Sequence, residues 1–291
     1  MRKITILIFL AATLFHLTGC NSTSRAQVAA TTAPVYQFTA ALCEGTDISV
    51  GRLISENVSC LHDYTLQTSQ MRSIENADVV IISGAGLEEF LEEALINARA
   101  IVDASKGITL RCSEAEHKHT NDTHSHSNDP HIWLSPDNAA IMAQNICAGL
   151  SSQYPQHKDT FEYNLSELLS DLNALDKYAS EQLSDINHRE LITFHDGFGY
   201  MAQAFDLEIL RAIEEESGRE ATAAELIDII LLVTDNNLPC IFTECNSSTS
   251  AAQIISRETD VPIYQLDMGM SERDYFSAMF HNIDTLKEAL K

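Results

Sequence analysis

Beyond its first residues, this 291-residue sequence has no hydrophobic run long enough to cross a membrane, which takes about 20 consecutive apolar residues. Basic residues are also scarce: 18 Lys and Arg stand against 42 Asp and Glu, a formal net charge of −24. Phosphates would be repelled by such an acidic protein, which argues against nucleic-acid binding. The same charge favours solubility and would raise the local concentration of cations.

The N-terminus has the pattern of an exported lipoprotein. Arg2 and Lys3 precede an apolar run from Ile4 to Leu14, which is too short to span a bilayer but suits the core of a signal peptide. It leads into Leu17-Thr18-Gly19-Cys20, a lipobox in which small residues precede the cysteine that would carry the lipid. We therefore predict a signal peptide over residues 1–19 and lipidation of Cys20. An ordinary secretion signal with an incidental cysteine is the alternative.

Six further cysteines make an even number, which is compatible with disulfides in an exported protein. They are Cys43, Cys60, Cys112, Cys147, Cys240 and Cys245. Sequence alone does not choose among the pairings. We favour Cys60 with Cys112, because both lie close to segments of the predicted site, and keep buried free thiols as the alternative. Cys240 and Cys245 would lie about 16 Å apart along a regular strand, too far to bond to each other.

Strand-like and helix-like segments alternate along the rest of the chain, which predicts an α/β protein with two lobes built on parallel sheets. Residues 20–33 have no apolar periodicity and are predicted to be a flexible tether. We predict an N-terminal lobe over 34–155 and a C-terminal lobe over 188–291. Between them, at 156–187, apolar residues recur every three or four positions without Gly or Pro, which predicts one long helix joining the lobes. A surface helix within one domain is the alternative.

Individual elements are clearest where apolar runs are bounded by turn residues. In the first lobe, Asp78 to Ser83 is a predicted strand, Gly84 and Gly86 a turn, and Leu87 to Ala98 a helix. In the second lobe, Ile263 to Leu266 is a predicted strand. Ligands of such sheets bind at the carboxyl ends of strands, in the crevice between the halves.

Four residues that could bind a metal follow apolar or strand-like segments in different parts of the chain. They are His62, His131, His195 and Asp267. Two precede the predicted long helix and two follow it, so a cleft between lobes could gather all four. Three neutral imidazoles and one carboxylate would make a tetrahedral site suited to Zn²⁺. Taken singly, each histidine is weak evidence, because a lone histidine is more often only a satisfied polar residue.

The segments around these histidines resemble the metal-binding solute-binding proteins of ABC importers, the group that includes zinc and manganese receptors. The segments are Asp129-Pro130-His131-Ile132-Trp133-Leu134-Ser135-Pro136 and Phe194-His195-Asp196-Gly197-Phe198-Gly199-Tyr200. The resemblance covers nearly the whole mature chain, including the long mid-chain helix. At the first ligand the family usually has Gly-x-Asp-Pro-His, whereas this chain has Val58-Ser59-Cys60-Leu61-His62.

The resemblance implies that His62, His131 and His195 bind the metal and that Asp267 is the fourth ligand, with Glu244 or water as alternatives. Manganese receptors of the family typically have an acid where this chain has His195, and Mn²⁺ prefers oxygen ligands, so the histidine favours Zn²⁺. A manganese or iron receptor of the same family stays open.

Zinc receptors of the family also have a histidine-rich loop before the second ligand. Here residues 113–128 contain His117, His119, His124 and His126. Clustered imidazoles would bind Zn²⁺ weakly and could pass it to the tight site. A loop whose histidines do nothing is the alternative.

The resemblance further implies a receptor and not an enzyme. We expect a monomer outside the cytoplasm, anchored by lipid, that delivers Zn²⁺ to the permease and ATPase of an ABC importer. A zinc-dependent hydrolase is less favoured, because the sequence has no His-Glu-x-x-His pair and no obvious general base beside the ligands. An adhesin or scaffold lipoprotein with a structural zinc site is the other alternative, and it predicts that the metal-free protein unfolds.

Overall fold

The computed structural model describes residues 26–54, 64–112, 128–214, 221–245, 249–271 and 273–291. Several predicted features therefore lie outside the described residues: the signal peptide, Cys20, Cys60, His62, and the loop histidines His117, His119, His124 and His126.

The first lobe is built on a four-stranded parallel sheet with strand order β2-β1-β3-β4. Its strands are β1 (Val28–Ala30), β2 (Val50–Arg52), β3 (Val79–Ile82) and β4 (Ile101–Asp103). Its helices are α1 (Ala33–Leu42), α2 (Thr68–Asn76) and the short α3 (Glu92–Leu95).

The predicted tether over 20–33 is wrong in its C-terminal part. Val28, Ala29 and Ala30 form β1, pair with strands on both sides and are at most 1% exposed. Three small residues have too little hydrophobic pattern to stand out in the sequence, and they are held in place by the neighbouring strands. The lobe therefore begins at β1 and not near Pro34, which lies in the first turn of α1.

The predicted helix from Leu87 to Ala98 is also wrong in its extent. Only a 3-10 turn (Glu89–Leu91) and the single turn α3 form there. Before them, the buried carboxylate of Glu88 accepts hydrogen bonds from the backbone N–H groups of Ser83 (2.7 Å) and Gly84 (2.9 Å). The Glu88 side chain thus stabilises a turn at Ser83 and Gly84. The positive φ of Gly84 in this turn favours glycine.

The second lobe repeats the architecture, with strand order β6-β5-β7-β8 and all strands parallel. Its strands are β5 (Glu190–His195), β6 (Glu208–Glu214), β7 (Ile241–Glu244) and β8 (Ile263–Leu266). Among its helices are α6 (Gly199–Ala204), α7 (Ala223–Asp235) and α8 (Ser250–Thr259). The predicted α/β fold with two parallel sheets is confirmed.

Three longer helices complete the fold: α4 (Pro136–Gln153) contacts β4 of the first sheet, α9 (Tyr275–Ala289) contacts β8 of the second, and α5 (Lys158–Gln182) packs on other helices. The 25 residues of α5 extend over about 38 Å at 1.5 Å per residue, and α5 packs on α1, α4 and α9. The predicted long connecting helix is confirmed, although α5 is shorter at both ends than 156–187. A 3-10 turn (Pro155–His157) precedes it, and the chain leaves the helix after Gln182 to enter β5.

One hydrophobic core cluster contains residues of both lobes, and Trp133 lies within it, 1% exposed. The indole Nε1 of Trp133 donates to the backbone oxygen of Met268 (2.7 Å). The backbone oxygen of Trp133 accepts from the Tyr275 hydroxyl (2.8 Å). The lobes are thus joined by packing and by hydrogen bonds around one indole. No helix in the described part of the chain is long and apolar enough to cross a membrane.

The five described cysteines, Cys43, Cys112, Cys147, Cys240 and Cys245, are not bonded to one another. Burial raises the pKa of the Cys43 and Cys240 thiols to about 12, so both are protonated and unreactive at neutral pH. Because Cys60 lies outside the described residues, its pairing with Cys112 stays a prediction.

Candidate metal centre

His131 is fixed in position by the residue two places before it. It precedes a 3-10 turn (Ile132–Leu134) that leads into α4, and it is 8% exposed. The Asp129 Oδ1 atom accepts from both the backbone N–H of His131 (3.0 Å) and its ring Nδ1 (2.9 Å). A carboxylate at Nδ1 keeps the proton on that nitrogen and leaves the Nε2 lone pair available to a metal. Asp129 was not predicted as a functional residue, although it opens the motif that identified His131.

His195 is the last residue of β5, and its ring faces that of His131 across the cleft. The two Nε2 atoms are 3.3 Å apart, and the ring planes are 88° to each other. Two tetrahedral bonds to zinc, each about 2.0–2.1 Å long, would place their nitrogens about 3.3–3.4 Å apart. The spacing therefore already matches that of two ligands on one zinc ion.

Gly197 leaves the space in which these rings meet. A Cβ atom at this position would lie 2.6 Å from His195 Cδ2, 2.6 Å from Met268 Cε and 3.0 Å from His131 Cε1. Distances this short cannot be accommodated unless a ring or the methionine moves. The glycine of the motif is therefore required by the close approach of the two imidazoles.

We expect Gly197→Ala to weaken zinc binding about 10- to 100-fold, because overpacking of this size costs about 1–3 kcal/mol and would displace a ligand ring. Isothermal titration against a competing chelator measures the change. Gly107→Ala is the control: a Cβ there meets no atom within 4 Å, so although the positive φ of 83° makes alanine lower the stability, the zinc affinity should be unchanged. Unchanged affinity in Gly197→Ala would mean that the rings do not need this space.

Asp267 lies where the sequence predicts it, directly after β8, and is 1% exposed. Its Oδ1 accepts from the backbone N–H of Gly269 (2.9 Å), and its Oδ2 accepts from Ser271 Oγ (2.7 Å) and Arg273 Nη1 (3.1 Å). Both oxygens are thus engaged. The alternative acid, Glu244, is buried at the end of β7.

The structure brings His131 and His195 together but does not complete a ligand set. Among the residues that the structure describes, no group of three or more His, Cys, Asp or Glu side chains is close enough to hold a metal ion. Asp267 as fourth ligand and His62 as first ligand therefore stay predictions, the latter outside the described residues.

Other residues of the site lie within the two motifs but were not singled out from the sequence. The Trp133 ring is 5.5 Å from the His131 ring, centroid to centroid. The Tyr200 hydroxyl is buried and donates to the backbone oxygen of Asp129 (3.1 Å). Burial raises the pKa of this phenol, which keeps it a donor at neutral pH. The two sequence motifs contain Trp133 and Tyr200, but the contacts that these residues make with His131 and Asp129 are seen only in the folded chain.

Two parallel-sheet lobes joined by a long helix, with imidazoles from both lobes facing each other in the cleft, define a two-lobed solute-binding protein. The chain belongs to the family described as ZnuA, zinc-uptake complex component A, periplasmic, whose model matches residues 28–289. It is a family of solute-binding receptors and not of enzymes.

Individual relatives agree with this assignment. The chain is 28% identical over 312 aligned positions to the zinc-binding lipoprotein AdcA of Streptococcus pneumoniae, covering 99% of this chain and 61% of AdcA. It therefore spans about three-fifths of the length of that relative. A crystal structure of ZnuA is similar at 26% identity with a TM-score of 0.80, covering 91% of this chain and 100% of the other. The Zn(II)-bound ZnuA-like domain of Streptococcus pneumoniae AdcA is similar at 27% identity and a TM-score of 0.76, covering 90% and 98%.

Proposed function

We propose that this protein captures Zn²⁺ outside the cytoplasm and delivers it to the permease of an ABC importer. The observation that carries the proposal is the pair of Nε2 atoms, 3.3 Å apart, from His131 and His195 on opposite lobes. Family membership supports the role, since the ZnuA family is one of zinc-uptake components. The metal would enter the cleft as cargo, with no chemical change.

The ligand set that we propose is His62, His131, His195 and a fourth group. Asp267 could be that group through Oδ1, which among the described residues accepts only from Gly269, whereas Oδ2 already accepts from Ser271 and Arg273. Water or Glu244 could fill the place instead. Three imidazoles would keep the preference for zinc over manganese in each of these cases, because Mn²⁺ favours oxygen ligands.

We also propose the finer features of the protein's location and assembly. A lipid on Cys20 would anchor a monomer to the membrane, with 1–19 removed. We propose that the loop histidines collect Zn²⁺ and pass it to the tight site; they are His117, His119, His124 and His126. The residues that flank this loop, Cys112 and Asn128, form an antiparallel bridge, and Asn128 is only three positions before His131, so the loop would begin and end close to the site.

A competition titration tests the function. The purified protein, with and without residues 117–126, is titrated with Zn²⁺ and with Mn²⁺ against a chromophoric chelator. We expect tight binding of Zn²⁺ in both forms, much weaker binding of Mn²⁺, and fewer weakly bound zinc ions in the shortened form. Preferential binding of Mn²⁺ would make the protein a manganese receptor, and no tight binding of either ion would contradict the proposal.

Thermal unfolding separates a receptor from a protein whose zinc is structural. We expect the chelator-treated protein to remain folded, because its core clusters contain no metal group among the described residues. Zinc at 100 times its Kd should stabilise the protein by about 2.7 kcal/mol and raise Tm accordingly. Circular dichroism measures both forms. Loss of the folded signal on chelation would indicate a structural zinc site instead.

A further inference from the structure

The two chain segments beside the metal centre form a short stem. Cys112 and Asn128 form an antiparallel bridge, and the backbone N–H of Asp129 donates to the oxygen of Arg111 (2.9 Å). Asp129 is also the residue that holds both the backbone and the ring of His131. A displacement of the stem would therefore be transmitted to the ligand ring through this carboxylate, as well as through the short backbone link at Pro130.

A hydroxyl from the second lobe ties this stem together. Tyr200, in α6 and 3% exposed, accepts a hydrogen bond from the backbone N–H of Arg111 (2.9 Å) and donates one to the backbone oxygen of Asp129 (3.1 Å). It thus binds both arms of the stem at once. We call the group of Arg111, Asp129 and Tyr200 the clasp.

The packing around the clasp is close and polar. Arg111 Nη1 donates to Gln203 Oε1 (3.0 Å), one turn further along α6. A Cβ atom at Gly199 would lie 2.9 Å from Arg111 Nε and 3.1 Å from Asp129 Oδ2. The helix can therefore approach the stem this closely only with a glycine before Tyr200.

We infer that Tyr200 is a positioning residue for the metal: through the clasp it holds Asp129 in place, and so sets how long His131 keeps its zinc. The inference rests on the proposed function. Tyr200 comes five positions after His195 on the same lobe, so the clasp ties the stem that carries one ligand to the lobe that carries the other. Removing the hydroxyl should loosen His131 relative to His195 and speed zinc release.

Tyr200→Phe tests this, since it keeps the ring and removes both hydrogen bonds. Zinc release to an excess of chelator is followed by stopped-flow fluorescence of the single tryptophan, Trp133, beside His131. We expect release at least 10-fold faster, because one buried hydrogen bond is worth about that factor and two are lost. Tyr178→Phe is the matched control: its hydroxyl donates to Asp284 Oδ1 (2.6 Å) in an exposed contact between α5 and α9, not to the clasp, and release should be unchanged.

A double-mutant cycle with Asp129→Ala distinguishes positioning from a purely structural role. If Tyr200 acts through Asp129, the two changes should be strongly non-additive in the zinc release rate, while their effects on the urea midpoint of the metal-free protein need not couple. Additive effects on release, or an unchanged rate in Tyr200→Phe, would overturn the inference. Should Tyr200→Phe not fold, Gly199→Ala perturbs the same clasp, and there too an unchanged rate counts against it. Tight binding by the wild-type protein upholds the proposed function independently of these results.

Discussion

Replacing His131 by alanine is expected to abolish tight zinc binding while leaving both lobes folded. The change removes one of two facing Nε2 atoms and leaves Asp129 without the ring that it orients. Binding energies of structural zinc sites are about 10–16 kcal/mol, so one of four ligands is worth several kcal/mol, an affinity loss of about 100- to 1000-fold or more. Competition titration measures the affinity, and circular dichroism checks the fold.

The matched control for this change is His157→Ala. His157 precedes α5, pairs with Asp47 (2.9 Å) and has no contact with the cleft histidines among those the structure describes, so its loss should leave zinc affinity unchanged. His195→Ala should resemble His131→Ala, and the double variant should bind little worse than either single one, because each already breaks the same pair. An affinity in His131→Ala within about 3-fold of the wild-type value would remove this residue from the site.

Trp133→Ala is expected to destabilise the protein by about 3–5 kcal/mol, which is the range for deleting a large buried aromatic side chain. The indole fills the core that joins the lobes, and its loss also leaves the backbone oxygen of Met268 without its donor. Trp133→Phe should cost less, about 1–3 kcal/mol, because most of the ring volume remains. Urea unfolding of the metal-free protein, followed by circular dichroism, measures both.

Tyr163→Ala is the control for an aromatic residue deleted at the surface. Its side chain on α5 is 65% exposed, so the stability should change by no more than about 0.5 kcal/mol. A loss below about 1 kcal/mol in Trp133→Ala would show that the joint between the lobes does not depend on the indole.

Local pattern predicted the elements whose boundaries are marked in the sequence. Strand β8 was predicted with its observed ends, Ile263 and Leu266, because a proline precedes it and an aspartate follows. The long helix was evident from its periodicity. Strand β1 was not, because three small residues have no recognisable period and depend on pairing with two strands that are distant in sequence.

Some residues of the site could likewise be predicted from local sequence, whereas others could not. His131 and His195 could be predicted because each sits in a specific motif. The partners of the site residues could not: Tyr200 contacts residues 71 and 89 positions away, and only the folded chain brings them together. Arg273, which binds Asp267, was likewise unpredictable, because a surface-seeking cation does not indicate in the sequence which buried carboxylate it will pair with.

The core cluster that joins residues of both lobes has a consequence for how affinity arises. Opening the lobes widely would expose this apolar surface to water, at about 25 cal/mol for each Å². The backbone that carries His131 and His195 is therefore ordered before any ion arrives, and folding has already met the entropic cost of bringing the two rings together. Such a site is preorganised, so that little of the binding energy of a captured ion would be consumed in shaping it.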